Sequence, residues 1–251
     1  GGFLGSGKTT LVNRILSASP ARTAVLVNDF GEINVDFDLV KSDGDLTFEL
    51  SGGCICCSMA EGIGPAIKTA LATNPDTILI GEMRDLETIE TAMLASETGH
   101  LVLSTLHTNT AVGAVTRLRD MGVEPYQLSS SLIGLMAQRL VRLLCPHCKA
   151  PHEASDAEKE QLGVPVDAPL TLHRPTGCPQ CRHTGFIGRS GIHELIEVDR
   201  GFETLIHDEA SEQSLEQHAR ARTPGILQSG RAKVMAGHTT LQEVLRVTIE
   251  E

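Results

Sequence analysis

Tryptophan is absent from this 251-residue chain, tyrosine occurs once and phenylalanine six times. With so few rings, the interior has to be assembled from Leu, Ile, Val, Ala and Met. No stretch reaches the 18 consecutive apolar residues that a membrane-spanning helix needs. Positive charge is also in deficit: 21 Lys and Arg against 32 Asp and Glu give a formal net charge of −11. Nucleic-acid affinity is dominated by phosphate neutralisation, so this balance argues against general DNA or RNA binding, and no nucleic-acid partner is expected. No signal peptide is visible. The chain opens at Gly1, without Met, inside a glycine-rich loop whose preceding strand is missing. It therefore reads as a fragment, and the lack of a targeting signal carries little weight.

What is present is an alternation of short apolar runs with helical patterns. Leu11, Val12, Ile15 and Leu16 share one helical face, and Ser19-Pro20 ends that helix. Ala24 to Val27 reads as a buried strand, and Phe48 and Leu50 mark another leading to Gly52-Gly53. Ala66 to Leu71 reads as the end of a helix. Thr77 to Ile80 is a further buried strand, followed by a helix from about Asp85 to Thr98 that Gly99 stops. Leu101 to Leu103 is another strand, and a helix spans about Ala111 to Met121. This order implies an α/β fold with a doubly wound sheet, whose ligands bind at the carboxyl ends of the strands. From Cys145 to about Gly191, Pro, His and Cys become frequent; from Phe202 to Glu251 the pattern is helical, broken at Pro224-Gly225. The expected division is 1–144 as a nucleotide-binding domain, 145–191 as a metal module and 192–251 as a C-terminal helical subdomain.

Two motifs carry phosphate chemistry. Gly2-x4-Gly7-Lys8-Thr9 matches the Walker A pattern of a P-loop nucleoside-triphosphatase. Successive backbone N–H groups over Gly2, Gly5, Ser6, Gly7, Lys8, Thr9 and Thr10 can face phosphate oxygens, and the following helix adds the positive end of its dipole. Lys8 reaches the β- and γ-phosphates, and the Thr9 hydroxyl is placed to ligate Mg²⁺. Ile78-Leu79-Ile80-Gly81-Glu82 ends an apolar strand in an acid that can polarise an attacking water or hold Mg²⁺ through water. Asp85, three residues on, suits either that chemistry or a helix cap.

All seven cysteines lie in short clusters, the arrangement of a metal-binding protein in a reducing compartment rather than a disulfide framework. Cys145-Pro-His-Cys148 and Cys178-Pro-Gln-Cys181 are two C-x2-C knuckles able to give one Zn²⁺ four thiolates. Such a closed site is structural, and its binding energy is folding energy for a segment poor in core. His147, His152 and His183 lie nearby and are read as solvent-facing or supporting rather than ligating.

From about residue 72 to 251 the sequence resembles the motor ATPases of type II secretion and type IV pilus assembly. The carriers are Asn74-Pro75-Asp76, the run Ile80 to Thr88, the run Thr98 to Asn109, Gln138-Arg139-Leu140 and Gly188 to Glu194. The resemblance implies a RecA-like P-loop fold, ATP and Mg²⁺ as ligands, Lys8, Glu82 and His107 in catalysis (His107 towards the γ-phosphate), and the same zinc module at Cys145, Cys148, Cys178 and Cys181. It further implies a homo-hexamer in the cytoplasm, peripheral to the inner membrane and docked on secretion or pilus platform proteins. The family's N-terminal domains, which close over the nucleotide, are not in this chain, so weak activity in isolation is expected.

Residues 1 to about 65 resemble a different family. Gly1 to Leu11, Val25 to Asp36 and Ser51-Gly52-Gly53-Cys54-Ile55-Cys56-Cys57 are similar to CobW-type metal-chaperone GTPases. That resemblance implies a second metal at Cys54, Cys56 and Cys57, thiolates that suit Zn²⁺ or Cu(I), with Glu32 and Asp36 in a switch region. No Asn-Lys-x-Asp guanine-reading motif occurs, and the acidic box that secretion ATPases carry after the P-loop is missing. The chain thus reads as a hybrid joined between about Met59 and Asn74. An ATP-driven motor, a metal-chaperone GTPase and a non-catalytic hybrid folded around zinc are the three functional readings.

Overall fold

The computed structural model describes residues 23–26, 47–48, 64–108 and 110–248. The phosphate loop with Lys8 and Thr9, the residues Glu32 and Asp36, and the cluster Cys54, Cys56 and Cys57 lie outside the described residues. Contacts divide the chain into two compact units, which are taken in turn.

The first unit includes residues up to Thr108, Val112–Ile133 and Val198–Leu215. Its centre is a parallel sheet of four strands in the order β2-β1-β3-β4, with β1 at Thr23–Leu26, β2 at Thr47–Phe48, β3 at Thr77–Ile80 and β4 at Leu101–Leu103. Helix α1 (Gly64–Leu71) leads into β3, and helix α2 (Leu86–Glu97) connects β3 to β4. Strands β1 and β3 pair in register, Ala24 with Ile78 and Leu26 with Ile80. Every residue of both strands is buried, as expected of parallel strands covered on both faces, and this explains their unbroken apolar runs. Ala24, Leu26, Ile78 and Ile80 on one face pack with Ala66, Ile67 and Ala70 of α1 and Ala92 and Ala95 of α2. Gly99 terminates α2 at φ +98, a left-handed conformation, and its N–H donates back to the Ser96 carbonyl at 3.0 Å. The unit also holds α3 (Gly113–Asp120), α4 (Pro125–Ser131) and α6 (Arg200–His207), with α4 packed on both α2 and α6. Arg119 of α3 donates to the carbonyls of Ile206, in the last turn of α6, and of Ala210, just beyond it, both at 2.9 Å.

The second unit includes residues Gly134–Glu197 and Glu216–Glu251. A long antiparallel pair, β5 (Gly134–Leu144) and β8 (Phe186–Glu197), is its backbone. A short pair, β6 (Ala150–Glu153) with β7 (Thr171–Arg174), and helix α5 (Asp156–Leu162) lie between them in sequence. After α7 (Glu212–Arg220) come α8 (Ile226–Met235) and α9 (Leu241–Thr248). Val141, Ile192, Leu172, Val234 and Val244 share one core. Gly230 in α8 is required by close approach: a Cβ there would stand 2.3 Å from Val244 Cγ1 of α9. β5 pairs with β8 along its length, so residues on both sides of 144/145 and 191/192 fall in one unit.

Candidate functional site

Glu82 stands two residues past the end of β3, at the carboxyl edge of the parallel sheet. The chain is fixed there on both sides. Gly81 N–H donates to the Leu26 carbonyl at the end of β1, at 2.9 Å, and the Met83 side chain packs against the core formed by Ile80 and its neighbours. Glu82 itself is 9% exposed. Its Oε2 accepts from Arg84 Nη2 at 2.7 Å, and its Oε1 lies 3.1 Å from Nε2 of His107, which follows the adjacent strand β4. The Arg84 guanidinium holds the Glu82 carboxyl below its ordinary value of 4.5, against burial, which raises it; the neighbouring imidazole acts in the same direction as Arg84. The group is therefore an ionised carboxylate at neutral pH, shielded from bulk water and charge-paired. Such a group can accept a proton from, or orient, a water beside a phosphate.

The structure brings Glu82 and His107 together, a contact that the two sequence motifs, read separately, did not specify. Lys8, Thr9 and the other phosphate-loop positions lie outside the described residues, so their distances to Glu82 are not part of this geometry. Asp85, open to two readings in the sequence, is the N-cap of α2: its Oδ1 accepts from Thr88 N and its Oδ2 from Thr88 Oγ1, each at 2.8 Å. Arg84 was not singled out in the sequence as a partner of Glu82. A basic residue in a polar loop carries no periodic signal, and only its position two residues from the acid pointed to it.

The four cysteines Cys145, Cys148, Cys178 and Cys181 converge beyond the end of the β5–β8 pair, all four Sγ atoms within 4.8 Å of one another. The Sγ separations 145–178, 148–181 and 178–181 are each 3.8 Å. Four thiolates around Zn²⁺ at a bond length of about 2.3 Å form a tetrahedron with an edge of about 3.8 Å, so the donor set fits such an ion. The loops are shaped for convergence. Cys145 N–H donates to Gly185 O at 2.9 Å, and a Cβ on Gly185, at φ +76, would lie 2.3 Å from Pro175 Cβ. Cys181 Sγ accepts from the N–H groups of Cys178 and Gly185, at 3.1 and 3.2 Å. Burial raises its pKa, but these N–H groups prevail and bring the thiol down to about 6, the direction that favours a ligating thiolate. Among the described residues no other group of three or more His, Cys, Asp or Glu side chains converges in this way. His152 faces Glu158 at 3.3 Å.

Comparison with known proteins bears on the family and the fold. The family model described as "Type II/IV secretion system protein" matches residues 1–246. The chain is 48% identical over 254 residues to the type II secretion system ATPase E of Vibrio cholerae, covering 99% of this chain and 48% of that protein. It is 47% identical over 255 residues to the type II secretion system protein E of Pseudomonas aeruginosa, covering 100% of this chain and 48% of that protein. The chain therefore spans about half the length of the curated relatives it matches. Among solved structures it is similar to the pilus retraction motor PilT with bound ADP, at TM-score 0.65 and 23% identity, covering 99% of this chain and 60% of that one. It is also similar to the Legionella pneumophila ATPase DotB, at TM-score 0.64 and 18% identity, covering 98% of this chain and 58% of that one. At those identities the structural likeness establishes the fold. The family match and both sequence alignments run through residues 1 to 65 as well, and the metal-chaperone resemblance of that segment finds no support in them.

Proposed function

The chain belongs to the type II/IV secretion system protein family, and from that premise we propose that it is the ATP-hydrolysing part of a motor for type II secretion or type IV pilus assembly. The observation that carries the reading is the buried, charge-paired carboxylate of Glu82, in contact with His107 at the carboxyl ends of neighbouring parallel strands. Parallel α/β sheets bind their ligands at that edge. The roles proposed are specific. Lys8 and the backbone of residues 2 to 10 hold the phosphates, and Thr9 ligates Mg²⁺, which neutralises phosphate charge when bound. Glu82 orients the attacking water and takes its proton, Arg84 keeps Glu82 ionised, and His107 faces the terminal phosphate. Cys145, Cys148, Cys178 and Cys181 hold a structural Zn²⁺. Hexamer formation and docking on inner-membrane platform proteins from the cytoplasmic side complete the proposal, by analogy with what the family's motors do.

The test is steady-state hydrolysis of Mg·ATP and Mg·GTP by the whole chain, resolved by oligomer size, beside Lys8→Ala. The expected result is ATP turnover that Lys8→Ala abolishes together with nucleotide binding. Turnover unchanged in Lys8→Ala would sink the phosphate-loop assignment, and turnover confined to GTP would favour a metal-chaperone GTPase instead.

A further inference from the structure

The peptide groups on either side of Glu82 are both held by one residue of the adjacent strand end. Thr105 Oγ1 donates to the Gly81 carbonyl at 2.5 Å, and the Thr105 carbonyl accepts from the Met83 N–H at 3.3 Å. Gly81 and Met83 are the immediate neighbours of Glu82, so these two bonds fix the positions of both peptide planes from which the Glu82 Cα hangs. Two residues further along the same segment, His107 reaches the Glu82 carboxylate itself. Beyond Leu103 the regular β3–β4 ladder has ended. Neither bond belongs to it, and one of them needs a side-chain hydroxyl that a valine or leucine of ordinary strand composition would not supply.

We propose that Thr105 is a positioning residue for Glu82: its hydroxyl and carbonyl clamp the Gly81–Met83 segment so that the carboxylate is held at a fixed distance from the reacting phosphate. The inference rests on the reading of Glu82 as the catalytic acid and adds how its geometry is set. A water-orienting group must be held to a fraction of an ångström, because small misplacements of a reacting group cost rate far more than they cost binding. The Arg84 and His107 contacts act on the flexible end of the Glu82 side chain, whereas Thr105 acts on its root. The clamp also ties the two strand ends that carry the two motifs, so a displacement of the His107 segment moves the backbone of Glu82 with it.

Two measurements on the whole chain test this. Thr105→Val keeps the β-branched shape and the backbone carbonyl but deletes the hydroxyl; Thr105→Ser keeps the hydroxyl. In amide hydrogen exchange, the N–H groups of Glu82 and Met83, one on each peptide plane of the clamp, should together exchange faster in Thr105→Val than in the parent, Glu82 the more because the deleted hydroxyl holds its plane, with Thr105→Ser close to the parent. In steady-state ATP hydrolysis, Thr105→Val should lose about tenfold in kcat, the scale of one hydrogen bond, with KM and nucleotide affinity unchanged and Thr105→Ser restoring the rate. Unchanged exchange at both Glu82 and Met83 in Thr105→Val overturns the clamp, whatever the turnover. A parental kcat in Thr105→Val, under conditions where Glu82→Gln is inactive, overturns its functional consequence. A parent with no turnover at all overturns the proposed function instead, and the exchange measurement still decides the clamp.

Discussion

Glu82 and Glu243 are both buried acids, and both are held ionised by arginine, but they serve different ends. Glu82 has one arginine and one imidazole, and it stands at the carboxyl end of the parallel sheet. Glu243 on α9 accepts from Arg142 Nη2 at 2.5 Å and from Arg246 Nη2 at 3.1 Å, and it also takes the Arg142 backbone N–H at 3.2 Å, joining α9 to β5. Burial raises its pKa, but these donors outweigh that and bring it from 4.5 to about 2. A depressed folded-state value stabilises the protein above the unfolded pKa, and that stabilisation is lost as pH falls through the folded one. Glu243→Gln should therefore cost about 1–3 kcal/mol at neutral pH, and the difference from the parent should shrink between pH 4.5 and about 2. Urea midpoints of the two proteins at pH 7 and pH 3 check this; an equal difference at both pH values would contradict it. Of these residues, Glu82 was legible in the sequence because an acid directly after an apolar run is itself a pattern. Glu243 was not, since its partner Arg142 lies about a hundred residues away and nothing local marks the pair.

Strands β1 and β3 and the helix α2 were readable for a related reason, and β4, whose Leu101 is exposed, from its apolar run alone. A parallel strand buried on both faces shows as an uninterrupted apolar run, and α2 announces its ends with Asp85 and Gly99. The β5–β8 pair was not read as strands. Its burial alternates only in part, and Gln138, Arg139, Arg142, Arg189 and Glu194 interrupt the apolar positions. Several of those polar groups are satisfied only in three dimensions. Arg142 reaches Glu243 and lies 4.3 Å over the Phe186 ring, while Glu194 forms an ion pair with Arg220 Nη2 at 2.8 Å and accepts from the N–H of Ile226 at the start of α8. The break at Pro224-Gly225 was visible. The reason for Gly230 within α8 was not, because it is set by Val244 on another helix.

The four-cysteine site joins segments far apart in the chain, since Cys145 and Cys148 follow β5 whereas Cys178 and Cys181 precede β8. A metal there would close the loop between the two knuckles, and its binding energy would be stability for that part of the protein. The whole chain should carry one tightly held zinc, and the double substitution Cys178→Ser, Cys181→Ser should remove it, with increased protease susceptibility between residues 145 and 185. Elemental analysis decides this, and tight zinc retained in the double variant would refute the site. Spacing made these four cysteines legible, whereas the likeness of residues 1 to 65 to a second family led to a hybrid reading that the family match over residues 1–246 does not support. A glycine-rich loop and the helix after it are shared by many P-loop proteins, so local sequence there discriminates poorly between families.

The central claim, that a phosphate bound by the loop at Lys8 is hydrolysed by water under the control of Glu82, is tested most directly by measuring ATP affinity and ATP turnover on the parent and on Glu82→Gln. The substitution keeps side-chain size and removes the charge. The account predicts ATP affinity close to the parent's and a turnover about 10²–10⁴-fold lower. Equal turnover in the two proteins, with zinc and fold intact, would contradict it.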